Sequence, residues 1–167
     1  MNTIHNFHYD KSIDCFMGSF FSVLSGTEIN VIVDKDVPND YIAICIKHFN
    51  SLAKPVVDTI RHRLTKYCQF MFESWQEMGI YEKVLSNIES KMACCNTSFD
   101  IFHHIQLQTM VIETPKQSVP AYSLSGNCDW EPEHGFEIII KDNDVLYVGQ
   151  PTMIGPWGNA EDYRCIY

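Results

Sequence analysis

Hydrophobic and polar residues alternate in the first third of the chain, and this pattern predicts β-strands. The segment "DCFMGSFFSVL" is rich in Phe and Val, and the turn residues "SGT" follow it. In "EINVIVD", Ile29, Val31 and Val33 occupy every second position, which is typical of a strand with one buried face. Together the two segments predict an N-terminal hairpin.

After Pro38 the hydrophobic residues recur at spacings of three and four, which predicts helices. A first helix is expected within "PNDYIAICIKHFNSL". A longer helix is expected from Pro55, because proline suits the first helical turn, and Gly79 marks its end. The segment "YEKVLSNIESKM" predicts a third, shorter helix, so the helical part covers 38–91.

The remaining sequence returns to strand patterns. The segments "IQLQTMVIET", "VPAYSLSGNCDW", "GFEIIIK" and "DVLYVGQ" are separated by short polar linkers such as "KDND", which predicts hairpin turns. The predicted fold class is α+β: an antiparallel sheet with about three helices packed on one face, in the order β-β-α-α-α-β-β-β-β. One domain is expected over 1–167, with a β meander at 99–150 and an aromatic tail at 151–167.

Composition narrows the class of protein. Hydrophobic residues make up 46% of the 167 residues, as in a globular chain. No apolar run is long enough to span a bilayer, and the N-terminus lacks the pattern of a secretory signal. Seven cysteines occur without a CxxC pair, and Cys94 adjoins Cys95. These features predict reduced thiols and a cytosolic location.

The formal net charge of −9 is unevenly distributed. Residues 1–46 carry six acids and two bases, residues 47–91 five acids and seven bases, and residues 92–167 ten acids and three bases. The net charges are therefore −4, +2 and −7. An acidic surface repels nucleic-acid backbones and attracts basic proteins, although acidity can also serve solubility alone.

The densest set of reactive side chains lies between Cys128 and His134. Two carboxylates and an imidazole there could bind a divalent cation or transfer protons, because histidine titrates near neutral pH. The same segment could instead dock a partner, or form a turn anchored by Trp130 and shaped by Pro132 and Gly135. The residues that an enzyme or metal site would use are Asp129, Glu131, Glu133 and His134.

The stretch "CDWEPEHGFEIIIKDNDVLYVGQ", together with the tail segment "WGNAEDY", resembles a family of small bacterial proteins of uncharacterised function. The resemblance covers roughly 40 residues, and the helical part has no counterpart in it. Members look like immunity proteins of contact-dependent or polymorphic toxin systems, which are encoded beside their toxins. The matching positions are Trp130, Glu131, Glu133, His134, Gly135, Val148 and Gly149.

The resemblance implies a non-enzymatic immunity protein that occludes a cognate toxin with a basic surface. No cofactor, metal ion, nucleic acid or membrane is expected as a ligand. Alternatives are a metal-binding or acid–base enzyme that uses residues 129–134, and a housekeeping interaction module. The aromatic tail could pack onto the core or present an interface. The predicted partner-binding residues are Asp129, Glu131, Glu133, His134, Asp142, Asp144, Trp157 and Tyr163.

Overall fold

A computed structural model describes residues 3–79 and 100–164, and its main element is a seven-stranded sheet. The strands lie in the sheet in the same order as in the sequence. A short 3-10 helix, Ile101–His104, precedes the fourth strand. The element bounds are β1 His5–Asp10, β2 Cys15–Ser22, β3 Thr27–Asp34, α1 Asn39–Phe49, α2 Lys54–Glu77, β4 Ile105–Ile112, β5 Ala121–Cys128, β6 Glu131–Lys141 and β7 Asp144–Gly149.

The sheet is mixed, because β3 and β4 pair in parallel while the other five neighbouring pairs are antiparallel. The parallel register runs from Asn30 opposite Thr109 to Val33 opposite Ile112. Parallel neighbours need a long crossover connection. Here that connection contains both α1 and α2.

The predicted fold class is wrong in its order and in its helix count. Three strands precede the helices, not two, and the described residues contain two α-helices in a chain that is mostly sheet. The predicted third helix falls within residues 80–99, outside the described residues. Strand β1 was not predicted from the sequence, because five of its six residues are exposed. Without a buried face, it has no hydrophobic alternation to detect.

Several element predictions are confirmed. The first two helices begin close to Pro38 and Pro55, and the long one ends before Gly79, which has a positive φ of 69°. Both predicted N-terminal strands and all four predicted C-terminal strands are present. The periodicity therefore located both described α-helices and six of the seven strands.

The main core lies between the helices and one face of the sheet. A row of fully buried side chains crosses the sheet at successive paired positions: Val31, Met110, Leu124, Ile138 and Val148. The helices contribute residues at three- and four-residue spacing. These are Tyr41, Ile42, Cys45, Ile46 and Phe49 from α1 and Val56, Ile60, Leu64, Tyr67, Cys68 and Met71 from α2.

The C-terminal tail covers the opposite face of the sheet. The carboxylate of Glu137, which points away from the helices, accepts hydrogen bonds from Thr152 N at 2.7 Å and Thr152 Oγ1 at 2.8 Å. Tyr163 donates its hydroxyl to the Gly155 carbonyl at 2.8 Å. Of the two positions expected for the aromatic tail, packing onto the protein is therefore the one observed for residues 151–164.

The four described cysteines, Cys15, Cys45, Cys68 and Cys128, are free thiols, and the last three are buried. The other three lie outside the described residues. No helix within residues 3–79 and 100–164 has both the length and the apolar content needed to span a membrane.

Candidate functional site

The segment that first suggested a reactive cluster forms a tight turn and the start of β6. The chain reverses at Asp129 and Trp130, and Pro132 to Gly135 lie within the strand. The expectation that Pro132 and Gly135 shape the turn is therefore wrong, because the turn precedes both residues. The Trp130 side chain is 1% exposed and packs edge-on against Tyr67, with ring centroids 5.9 Å apart. Trp130 is thus a core anchor, as one of the sequence interpretations proposed.

Glu131 is buried, and its carboxylate holds the start of β6 together. Its Oε1 atom accepts the backbone N–H groups of Glu133 at 3.2 Å and His134 at 3.3 Å. The imidazole of His134 lies 3.4 Å from the same oxygen, and Gln150 donates to Oε2 at 3.4 Å. A buried carboxylate needs such donors. Glu131 therefore supports the backbone and is not presented to solvent.

The remaining members of the cluster point in different directions. Asp129 Oδ2 lies 3.1 Å from His104 Nδ1 and thereby links the turn to the 3-10 helix. Glu133 is exposed, and the His134 side chain is 62% exposed. Within the described ranges, no group of three or more His, Cys, Asp or Glu residues is arranged to hold a metal ion. The four residues proposed for an enzyme do not converge on one cleft.

The predicted partner-binding residues divide between the two ends of the sheet. We call the end with the Asp129–Trp130 turn the Trp130 end, and the end with the turn between β6 and β7 the Asp142 end. Ten residue steps of β6 separate them, roughly 30 Å. Asp129, Glu131, Glu133 and His134 lie at the Trp130 end, whereas Asp142 and Asp144 lie at the Asp142 end.

Trp157 and Tyr163 are positioned by the tail near the Asp142 end. The Lys141 ammonium lies 5.1 Å from the centre of the Trp157 ring, a cation–π contact. Tyr163 and Asp144 line a pocket of about 590 Å³ between α2, β7 and the tail. Arg63 also lines this pocket and donates to the Leu146 carbonyl of edge strand β7 at 3.2 Å. Both aromatic residues are partly buried.

An apolar surface at the Trp130 end was not identified from the sequence. Phe21 and Val23 are 57% and 63% exposed, and Leu24 is 36% exposed. Asn50, after α1, fixes their backbone by accepting from Val23 N at 2.9 Å and donating to the Phe21 carbonyl at 3.0 Å. The sequence signal that could have identified this surface is the run "FFSVL", in which apolar residues continue into the turn after β2.

A cleft of about 770 Å³ opens beside this surface, between the first halves of β3 and β4. Leu24 lines its rim, and the buried side chains of Leu107, Leu124 and Ile138 line its interior. The cleft exists because β3 and β4 pair only from Asn30 and Thr109 onwards. The preceding parts of the two strands are not paired with each other.

A bulge in β4 accompanies this separation, and two glycines allow it. The register between β4 and β5 shifts between Leu107 and Thr109. There the Gln106 carbonyl lies 2.0 Å from the position that a Cβ on Gly126 would occupy. Gly135 has a φ of 71°, and the position that a Cβ on it would occupy lies 2.1 Å from the Gly126 carbonyl oxygen. The close contact of β4, β5 and β6 at these points requires residues without side chains.

The thiol nearest to the cluster is a poor nucleophile. Burial raises the pKa of Cys128 to about 12, and the nearby Glu131 carboxylate adds to this effect. Burial likewise raises the pKa of Cys45 to about 11. A reactive cysteine needs a thiolate and therefore a lowered pKa. These two thiols act as small buried apolar groups.

A carboxyl group under the tail carries an unfavourable charge. Burial raises the pKa of Glu113 above its usual range, and the carboxylate of Asp34 acts in the same direction. Lys116 opposes this rise, and Glu137 adds to it. Burial raises the pKa of Tyr163 in the tail, and the nearby Glu113 carboxylate adds to this effect. Ionised Glu113 is thus unfavourable in the folded state.

Replacing Glu113→Gln should make the chain more stable than wild type, with an advantage that grows from about pH 4 to about pH 7. Between the two pKa values the folded state keeps a proton that the unfolded state has lost, so rising pH favours unfolding of the wild type. Urea midpoints at both pH values measure the effect. If the difference in urea midpoint between Glu113→Gln and wild type is the same at both pH values, the prediction is wrong.

Asp58→Asn is the matched control with the opposite sign. A hydrogen bond from Lys54 lowers the pKa of Asp58, so the wild-type carboxylate stabilises the fold above its unfolded pKa and loses this effect as pH falls. Asp58→Asn should therefore be less stable than wild type by a nearly constant amount between about pH 4 and about pH 7, and this deficit should shrink as the pH falls below about 4.

Comparison with known proteins identifies a family for this chain. A family model described as "Domain of unknown function (DUF6985)" matches residues 3–154. No curated protein and no solved structure matches the chain. The match includes all seven strands and both described helices, as well as the Trp130 turn and the cleft. The chain belongs to the DUF6985 domain family.

Proposed function

We propose that the chain is an immunity protein that binds and neutralises a cognate bacterial toxin by stoichiometric occlusion. The observation that carries the proposal is the Trp130 end, where exposed apolar side chains adjoin acidic ones. Phe21 and Val23 are more than half exposed there, and Glu28 and Glu133 are exposed at the same end. Apolar anchors within a polar rim are typical of protein–protein interfaces.

The charge of the chain favours a basic partner. The net charge is −9, and residues 92–167 alone contribute −7. Acidic surfaces accelerate the encounter with basic proteins and improve discrimination between partners. Many toxins that act on nucleic acid carry basic surfaces because they must bind phosphate backbones. We place this binding in the cytosol, where such a toxin would reach its target.

The alternative of a metal-binding or acid–base enzyme at residues 129–134 has less support. Its residues would have to share one cleft, whereas Glu131 is buried against backbone N–H groups and Asp129 contacts His104. A housekeeping interaction module would use the same apolar and acidic surface. A toxin gene beside the gene for this chain distinguishes the two.

The test is co-expression of the chain with the toxin encoded beside its gene, followed by measurement of complex formation between the purified proteins. Wild type should protect the cell and form a stable complex. Glu133→Lys should slow association about tenfold, because a reversed charge at the rim of an interface mainly changes the encounter rate.

Asp144→Lys is the matched control, since it makes the same charge change at an exposed residue of the Asp142 end. It should leave association within about twofold of wild type. If wild type neither protects nor forms a complex, the immunity function is wrong. If Asp144→Lys weakens the complex and Glu133→Lys does not, the function survives but the Asp142 end is the docking surface.

A further inference from the structure

The cleft between β3 and β4 borders two strand segments that each have a partner on one side only. Residues 27–29 pair with β2, and most of residues 105–108 pair with β5. Their other sides face the cleft, and no strand in the described part of the chain lies between them. Backbone N–H and C=O groups on such a border are able to pair with an added extended segment.

Part of the lining of the cleft is apolar. Its accessible apolar surface comes from the partly buried Phe102 and Ile105 and from Leu107, which is 8% exposed. Leu124 and Ile138, at 0% and 2% exposed, add almost no accessible surface. The exposed Leu24 extends this apolar lining to the surface. A side chain that enters beside these accessible apolar residues would be partly removed from water, which favours an apolar residue at that position.

The rim of the cleft is negatively charged. Glu28 accepts a hydrogen bond from the neutral hydroxyl of Ser19 at 2.6 Å, so this bond leaves its charge uncompensated. Asp100, also at the rim, is paired with Arg61 at 3.3 Å. The uncompensated charge of Glu28 suits a lysine or arginine beside the apolar residue.

We propose that this cleft receives an extended segment of the partner, with an apolar side chain directed at Leu107 and a basic side chain beside Glu28. The segment forms backbone hydrogen bonds with the strand borders at residues 27–29 and 105–108, as an added strand does. This proposal rests on the proposed function, because the occupant belongs to the bound toxin. It assigns the binding to one place within the Trp130 end.

The probe is the toxin encoded beside the gene, in complex with the full chain. Hydrogen–deuterium exchange of the backbone amides at 27–29 and 105–108 should slow when the complex forms. Gln108→Trp, at an exposed position that lines the cleft, should weaken the complex at least about tenfold, because the indole fills the space. Gln117→Trp is the matched control at the Asp142 end and should leave affinity unchanged.

The outcomes separate this proposal from the function on which it rests. If wild type forms no complex with the toxin, the immunity function and the cleft proposal both fail. If the complex forms but exchange at both strand borders is unchanged and Gln108→Trp binds like wild type, the function stands and the cleft proposal is overturned. If exchange slows at the borders and Gln108→Trp alone loses affinity, the proposal is supported.

Discussion

Gly126→Ala should destabilise the chain by at least about 3 kcal/mol, because backbone and not a flexible side chain occupies the space of the new methyl group. The added Cβ would lie 2.0 Å from the Gln106 carbonyl oxygen and 3.0 Å from Leu107 Cα. Relief requires β4 to move away from β5 at its bulge. Denaturant unfolding of wild type and variant measures the loss through the shift in midpoint.

Gly26→Ala is the control that separates the effect of steric overlap from the effect of a left-handed backbone conformation. Gly26 has a φ of 67°, but nothing lies within 4 Å of the position that a methyl group on this residue would occupy. Its substitution should cost only about 1 kcal/mol, the strain of a left-handed residue. Equal losses in the two variants would mean that β4 yields easily at the bulge, and the shape of the cleft would then not depend on Gly126.

Trp130→Ala should cost about 3–5 kcal/mol, as is usual when a large aromatic residue is removed from a core. Trp130 is 1% exposed and contacts Tyr67, whose hydroxyl in turn donates to the Gly135 carbonyl at 3.1 Å. Loss of the indole therefore leaves a cavity beside Tyr67, the residue whose hydrogen bond links α2 to β6. The free energy of unfolding from urea titration measures the cost.

Two further substitutions make this result specific. Trp157→Ala, in the partly buried tail, should cost no more than about 2 kcal/mol. Trp130→Phe should cost less than Trp130→Ala, since it keeps a ring and removes an indole N–H that has no hydrogen-bond partner among the described residues. If Trp130→Ala unfolds like wild type but abolishes toxin binding, Trp130 belongs to the interface and not to the core.

Elements that bury one face could be predicted from the sequence. Helix α2 was visible because its apolar residues recur on one side over its whole length, and β3 because Ile29, Val31 and Val33 occupy every second position. Strand β1 was not visible, since it is exposed on both faces. The parallel pairing of β3 with β4 was not predictable either, because a strand's side-chain pattern records its burial and not its neighbour.

The candidate site was predictable only in part. The role of Trp130 as an anchor follows from its size and apolar character. The burial of Glu131 does not follow, because its hydrogen-bond donors include Gln150, which the fold brings near from 19 positions away. The cleft depends on a contact between Gln106 and Gly126, and no local pattern records such a contact.

The parallel pairing also has a consequence for synthesis on the ribosome. Asn30 pairs with Thr109, which lies 79 residues later in the chain. At typical elongation rates of about 5–20 residues per second, β3 waits about 4–16 seconds for its neighbour to be made. During that interval one whole border of the nascent β1–β3 unit is without its final partner. This unpaired border of the nascent chain is then accessible to chaperones and to association with other chains.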